Sequence, residues 1–332
     1  MKMLERSVQN PIITAADLNY NWCSIKVYNP SVIKNSNGYQ MLFRAVGKDW
    51  VSRIGIARSS DGVNFEVHPE PALVPIHNWE RAGCEDPRVT KIDETYWLTY
   101  TAFDGITARA GITSSLDLET WDDQRVILFP QWHHTVKENC TPDWSKGAAM
   151  ISQPIDGRYY MLFGDSHIWP ATSTNLMDWE PSTTPIISRR PGLFDASYVE
   201  TGPPPILTDR GWLVIYHGVD QLGPQMTYRI GAALLEPNDP TKVVWRSKQP
   251  ILEPTESYET VGFVDVIKGG FETLKKMTLE DLHQLSMQQK LPKAVFCCGA
   301  VKEESGSIRL YYGAGDTVIC TATIDLDTIF QS

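Results

Sequence analysis

Short runs of alternating aromatic, β-branched and polar residues recur along the chain, each set off by a polar turn. They begin at Gly38-Tyr39-Gln40-Met41-Leu42-Phe43, Thr95-Tyr96-Trp97-Leu98-Thr99-Tyr100, Gly157-Arg158-Tyr159-Tyr160-Met161-Leu162-Phe163, Gly211-Trp212-Leu213-Val214-Ile215-Tyr216 and Ser307-Ile308-Arg309-Leu310-Tyr311-Tyr312. Such runs read as short strands. A second strand follows each one, such as Ile54-Gly55-Ile56-Ala57-Arg58-Ser59 or Ala110-Gly111-Ile112-Thr113-Ser114-Ser115. In the first three copies it runs into a Ser/Thr/Asp/Asn turn and then an aromatic: Phe65, Trp121 and Trp179. The turn residues bond their own backbone, and the aromatic is placed to wedge between neighbouring units. A supersecondary unit repeated roughly every fifty residues predicts a propeller or similar array. The expectation is therefore an all-β fold, a five-bladed β-propeller occupying residues 1–332 as one domain. A propeller gathers loops from every blade around one funnel, so polar residues distant in sequence meet there.

Helical signal is scarce. One candidate runs from Thr278 to Gln289, with Thr278 as cap, Glu280 and Asp281 in the first turn and Leu279, Leu282 and Leu285 spaced three apart. It falls in the longest interval between repeats. Residues from about 268 to 290 are thus expected to be a short helical insertion between blades four and five: a surface decoration, or alternatively a lid or an oligomer contact.

Composition changes the picture mainly by exclusion. The formal net charge is −10 and no basic tract occurs, which argues against a nucleic-acid partner. No run approaches a membrane span and Met1–Ser7 carries no apolar signal core. The six cysteines lack metal-ligand spacing and read as reduced, structural thiols of a cytoplasmic protein. No metal site and no cofactor are expected.

Candidate chemistry lies where polar residues stand at strand ends or beside Gly and Pro. In Gly83-Cys84-Glu85-Asp86-Pro87-Arg88 two carboxylates adjoin a cation. Pro87 predicts an extended Asp86, which puts Glu85 and Asp86 on opposite faces and Asp86 with Arg88 on one. Separated carboxylate environments are how acid and base roles are divided; the plainer alternative is a turn with a salt bridge. Glu200 precedes the stiff Gly202-Pro203-Pro204-Pro205 stretch, placed to activate water or bind a hydroxyl. Lys146 precedes a small-residue strand. The polar residue just past the aromatic run is Arg44, Asp104, Asp165, His217 and Asp316 in successive repeats, which fits a funnel rim. Trp50, Trp79, Trp144 and Trp169 are expected in loops, where indole faces suit sugar rings.

These residues resemble glycoside hydrolase family 130, the β-mannoside phosphorylases and related β-mannosidases. The resemblance rests on Asn29-Pro30-Ser31-Val32, Phe43-Arg44-Ala45, Glu85-Asp86-Pro87-Arg88-Val89, Gly202-Pro203-Pro204-Pro205, Tyr216-His217-Gly218-Val219, Gly231-Ala232-Ala233-Leu234-Leu235, Tyr258-Glu259 with Gly262-Phe263, Cys298-Gly299-Ala300-Val301 and Tyr312-Gly313-Ala314-Gly315-Asp316-Thr317. It runs from Asn10 to Ile329 and implies a five-bladed propeller, an inverting reaction and Asp86 as general acid. Phosphorylases similar to this chain usually carry an Arg after the third aromatic run, where it reads Gly164-Asp165-Ser166, and a Lys just before the Gly-Pro-Pro loop, where it reads Tyr198-Val199-Glu200. Two cations are lost and an acid gained, which disfavours a phosphate dianion and supplies a second carboxylate for an inverting hydrolase. The expectation is hydrolysis of a mannose-containing oligosaccharide, with Asp86 and Glu200 catalytic. Arg44, Glu85, Arg88, Asp104, Lys146, Asp165, His217, Tyr228 and Asp316 are expected to bind substrate. The alternative is a β-1,2- or β-1,4-mannoside phosphorylase with inorganic phosphate as co-substrate, releasing mannose 1-phosphate. A non-catalytic carbohydrate-binding propeller ranks next and a protein-interaction propeller last. No nucleic acid or membrane partner is expected; a homo-oligomer is compatible with the sequence.

Overall fold

The computed structural model describes residues 4–128, 144–220, 227–260 and 293–331, almost all strand and turn. β1 (Glu5–Arg6) stands apart at the start. β2 (Lys26–Asn35), β3 (Gly38–Val46), β4 (Ser52–Ser59) and β5 (Glu66–Val67) form a first antiparallel group in chain order. β6 (Gly83–Ile92), β7 (Thr95–Phe103), β8 (Ala108–Ser115) and β9 (Arg125–Leu128) form the second. The third comprises β10 (Ala149–Met150), β11 (Tyr159–Phe163), β12 (Trp169–Ser173) and β13 (Glu180–Pro181). In the fourth, β14 (Tyr198–Thr201) and β15 (Ile206–Thr208) both pair with β16 (Gly211–Asp220), followed by β17 (Thr227–Leu235) and β18 (Val243–Arg246). The last group is β19 (Lys293–Lys302), β20 (Ser307–Ala314) and β21 (Val318–Asp325), completed by β1, which pairs with β21. Joining the two ends of the chain in one sheet removes a free edge.

The aromatic runs are the second strands of these groups, not the first. The first strands β2, β6 and β14 carry a proline or end just before one, which masks their alternation. Parallel bridges link one group to the next: Ser52 to Gly83, Arg109 to Ser145 and Thr227 to Lys293. β2 lies against both β6 and β19. Apolar cores fill the spaces between consecutive groups. One joins Leu42 and Ile54 to Leu98 and Tyr100, another joins Ile112 to Phe163 and Trp169, and a third joins Leu162 to Trp212 and Val214. Ile230 packs with Val295 and Leu310, and Tyr311 returns to Met41 and Phe43 of the first group. Each fully buried aromatic in these layers contributes ~1.5–3 kcal/mol.

A polar device repeats inside this apolar framework. Tyr100, Tyr216 and Tyr312 each donate a hydrogen bond at 2.8 Å to a fully buried acid, Glu80, Asp195 and Glu259 respectively. Each acid sits upstream of its group's first strand. Glu259 also accepts from Arg6 of β1 at 2.7 Å, which ties the N-terminal strand to the fifth group.

The tryptophan expectation holds in part. Trp169 lies in β12 and is buried, not in a loop. The expected insertion at about 268–290 lies outside the described residues. Among the described residues, no helix is long and apolar enough to cross a membrane, and Cys23, Cys84, Cys297, Cys298 and Cys320 are buried, free thiols.

Candidate active site

Strand register assembles the site. Tyr28 pairs with Arg44, Glu85 with Thr101, Glu200 with His217 and Phe296 with Gly313. The Gly164 N–H donates to the Lys146 carbonyl at 2.8 Å, the matching pairing in the third group. One station of each first strand therefore presents Tyr28, Glu85, Lys146, Glu200 or Phe296. In the first two groups the next residue departs from the ladder, whereas Thr201 and Cys297 stay paired. Register shifts follow Tyr28 and Glu85, and Asn29 and Asp86 take φ of 48° and 49°. This is a β-bulge, where one extra residue re-aims a side chain. Gly147, at the same station of the third group, has φ 71°, and a Cβ there would lie 3.2 Å from Glu200 Cγ.

The bulge overturns the expected backbone at Asp86. Its conformation is left-handed rather than extended, because the tertiary pairing on both sides of Pro87 outweighs the local preference and Asp tolerates this region. Glu85 and Asp86 consequently line one cavity instead of facing apart. Arg88 stands behind them rather than in the cavity lining. It is fully buried and donates to the carbonyls of Gly202 (2.8 Å), Thr201 (2.7 Å) and Asp86 (2.9 Å). It braces the second group against the fourth, and its Nη2 lies 3.8 Å from Glu200 Oε1.

The cavity holds about 380 Å³ and is lined by Lys26, Arg44, Trp50, Ser52, Glu85, Asp86, Thr101, Phe103, Trp144 and Lys146, among others. Arg44 donates to Glu85 at 2.5 Å, to Asp86 Oδ1 at 3.3 Å and to Ser52 Oγ at 3.0 Å. Asn29 Nδ2 donates to the same Asp86 Oδ1 at 2.8 Å. Burial pushes the Asp86 carboxyl up, but Arg44, Lys146, the Asn29 hydrogen bond and Arg88 outweigh it and hold it below its usual range.

Behind the Lys146 side of the cavity lies a second cluster. Lys146 Nζ contacts both oxygens of the buried Glu200 at 2.9 Å, and Tyr198 Oη donates to Glu200 Oε2 at 3.0 Å. Burial pulls the Lys146 ammonium down, yet Glu200, Asp165 and Asp86 raise it above its ordinary value, so it stays charged. Asp165 is buried and, with Glu200, acts on Tyr228, whose hydroxyl burial pushes up. His217 is fully buried, stacks on Phe296 at 3.7 Å and accepts the Cys297 N–H on Nε2 at 2.8 Å. Burial, then Arg88 and Lys146, hold its imidazole well below the ordinary value, leaving a neutral ring.

The structure thus brings together Arg44, Glu85, Asp86, Lys146, Asp165, Glu200, His217 and Tyr228. Asp316 reaches the group through its charge on Tyr228 but sits in the β20–β21 turn. Asp104 does not join. It accepts the N–H groups of Ile106 and Thr107 at 2.8 Å and pairs with Arg109 at 2.8 Å, closing the β7–β8 turn. The expected equivalence across repeats fails because Arg44 and His217 lie within strands at one register, whereas Asp104 and Asp316 lie in turns beyond it. Asn29, Lys26, Ser52 and Tyr198 are not among the site residues expected from sequence. Asn29 alone left a legible signal: Asn29-Pro30 and Asp86-Pro87 each stand nine residues ahead of a second strand's start, Gly38 and Thr95.

Among the described residues no cluster of three or more His, Cys, Asp or Glu is arranged to hold a metal ion. The family model described as beta-1,4-mannooligosaccharide phosphorylase, glycoside hydrolase family 130, matches residues 5–272. A beta-1,2-mannobiose phosphorylase of Thermoanaerobacter sp. (strain X514) is 33% identical over 346 residues, covering 99% of both chains. The solved beta-1,2-mannobiose phosphorylase of Listeria innocua, in complex with beta-1,2-mannobiose, is 26% identical with a TM-score of 0.79, covering 100% of this chain and 99% of that one. A further solved structure comes from glycoside hydrolases of the same family that target beta-1,2 mannosidic linkages in Candida mannan. It is 27% identical with a TM-score of 0.78, covering 98% of this chain and 94% of that one.

Proposed function

The chain belongs to glycoside hydrolase family 130, and from that premise we propose that it is an inverting β-mannoside phosphorylase acting on β-1,2-linked mannosides. The relatives' activities support phosphorolysis better than the hydrolysis expected from the two lost cations. One observation of the site carries the choice. Both Glu200 oxygens are held by Lys146 at 2.9 Å and one also accepts from Tyr198, so this acid is poorly disposed to take a proton from water. Lys26, Arg44 and Lys146 meanwhile line the cavity beside Asp86, and charge-assisted donors are what a phosphate requires.

In this reading a phosphate oxygen attacks C1 of the terminal mannosyl residue from the face opposite the leaving group. The C1–O bond breaks, the departing oxygen takes the Asp86 proton, and the product is α-mannose 1-phosphate. Asp86 is ionised at neutral pH in the unliganded protein, since its carboxyl is held low. A bound phosphate dianion offsets the Arg44 and Lys146 charges and raises the Asp86 pKa, arming the acid only when the nucleophile is present. The fold is proposed as a single five-bladed β-propeller, supported by the group-to-group cores that return from Tyr311 to Met41.

The test is product analysis on β-1,2-mannobiose with and without inorganic phosphate. Mannose 1-phosphate formed only with phosphate is the expected result. Free mannose released at an equal rate without phosphate would overturn phosphorolysis and favour the second reading, hydrolysis, for which the buried Glu200 and the hydrolases of the same family speak.

A further inference from the structure

We propose that Asn29 is the positioning residue of the acid: its side-chain amide pins Asp86 Oδ1, so that Oδ2 is the oxygen that carries and delivers the proton. The inference rests on Asp86 being the proton donor. Asn29 is buried, and its Nδ2 lies 2.8 Å from Asp86 Oδ1. Arg44 Nη1 reaches the same oxygen at 3.3 Å. Among the described residues both donors fall on Oδ1 and none on Oδ2. A carboxyl group with two donors on one oxygen protonates on the other.

The placement is built into the backbone. Asn29 and Asp86 occupy the same bulge of adjacent groups with nearly the same left-handed φ. The two side chains thus leave their strands at matching stations and meet. Asn29 Oδ1 is buried without a partner among the described residues and abuts Gly313, where a Cβ would come within 2.3 Å of it. That bare glycine leaves room for the amide to lie with its nitrogen toward Asp86. The charged and titratable groups acting on Asp86 are Arg44 from β3, Lys146 ahead of β10 and Arg88 in its own strand. Asp86 in turn acts on His217 of β16 and Cys298 of β19, and Glu85 adjoins it. Asn29 is the neutral member, and its donated hydrogen bond favours the ionised carboxylate.

Asn29→Gly removes the amide while keeping a residue at ease with positive φ. Asn29→Asp keeps the shape and sets a second carboxylate against the first. The expected results are a kcat lower by about 10-fold in Asn29→Gly and an alkaline limb of the kcat–pH profile moved up by about one pH unit. Asn29→Asp moves the limb further, and the mannoside KM stays within about threefold of wild type. A limb unmoved in both folded variants, or a loss confined to KM, overturns the proposal. Titration of the Asp86 carboxyl by ¹³C NMR, assigned with Asp86→Asn, reads the same shift without turnover. A wild-type protein lacking phosphorolysis therefore sinks the functional reading, while an unshifted Asp86 titration in Asn29→Gly sinks this one.

Discussion

The two sides of the cavity treat a buried carboxylate in opposite ways. On the side built by the first and second groups, Asp86 takes two donors on one oxygen and keeps the other open. On the side of the third and fourth groups, Glu200 has both oxygens against Lys146 and a tyrosine on one of them. Both acids come from the same register of first strands, one residue apart in station. The bulge after Glu85 separates them, because it turns Asp86 toward the cavity, while Glu200 stays in the ladder opposite His217. A carboxylate with an open oxygen can reach a substrate hydroxyl; one with both oxygens held by an ammonium cannot do so without breaking those contacts. Under the proposed phosphorolysis, proton transfer falls to the first side and organisation of the anion site to the second.

Replacing Asp86 breaks the comparison most severely. Asp86→Asn is expected to lower kcat by roughly 10²–10⁴-fold with sugar binding retained, measured by initial rates and calorimetry. Equal turnover would leave a sugar-binding module without catalysis. Lys146→Met removes the cation that encloses Glu200. We expect a phosphate KM raised at least about tenfold, and a stability loss of about 3 kcal/mol or less, because Arg88 at 3.8 Å and Tyr198 still face the buried acid, read by urea denaturation. An unchanged phosphate KM would remove Lys146 from the anion site.

His217 sharpens the comparison through pH. Its folded pKa lies well below the ordinary 6.5, so below that value the unfolded chain binds a proton that the folded chain refuses. Stability contributed by the neutral ring is present above about pH 6.5 and falls as pH drops, by up to about 1.4 kcal/mol per pH unit. Denaturation curves at pH 7 and pH 5 should show this loss, and His217→Gln should reduce it. The smallest effect is expected at Asp104. Asp104→Ala should change kcat by less than about twofold and cost ~1 kcal/mol through the lost turn bonds; a large kcat effect would restore it to the substrate site.

The residues missing from the sequence reading share a cause. The aromatic runs of β3, β7, β11, β16 and β20 were plain because each pairs on both sides and buries its alternate residues, as Phe43, Tyr100 and Tyr216 do. The first strands were not plain, because Pro30, Pro87 and Pro203 interrupt or end them and the bulge breaks their period. Tyr28 and Lys26 stayed hidden for that reason, and Asn29 showed only through its place before Pro30. Asp104 lies in a turn between the cavity-lining Phe103 and Gly105, beyond the register that carries Arg44 and His217.

What the chain alone determined was the repeated strand unit, the family and the acid–proline motif, since these depend on residue type and local order. Which carboxylate keeps an open oxygen was decided only by the packed structure. That choice depends on a register shift of one residue and on donors from Asn29, Arg44 and Lys146, which lie far from their acids in sequence and meet them only when the strand groups close on one another.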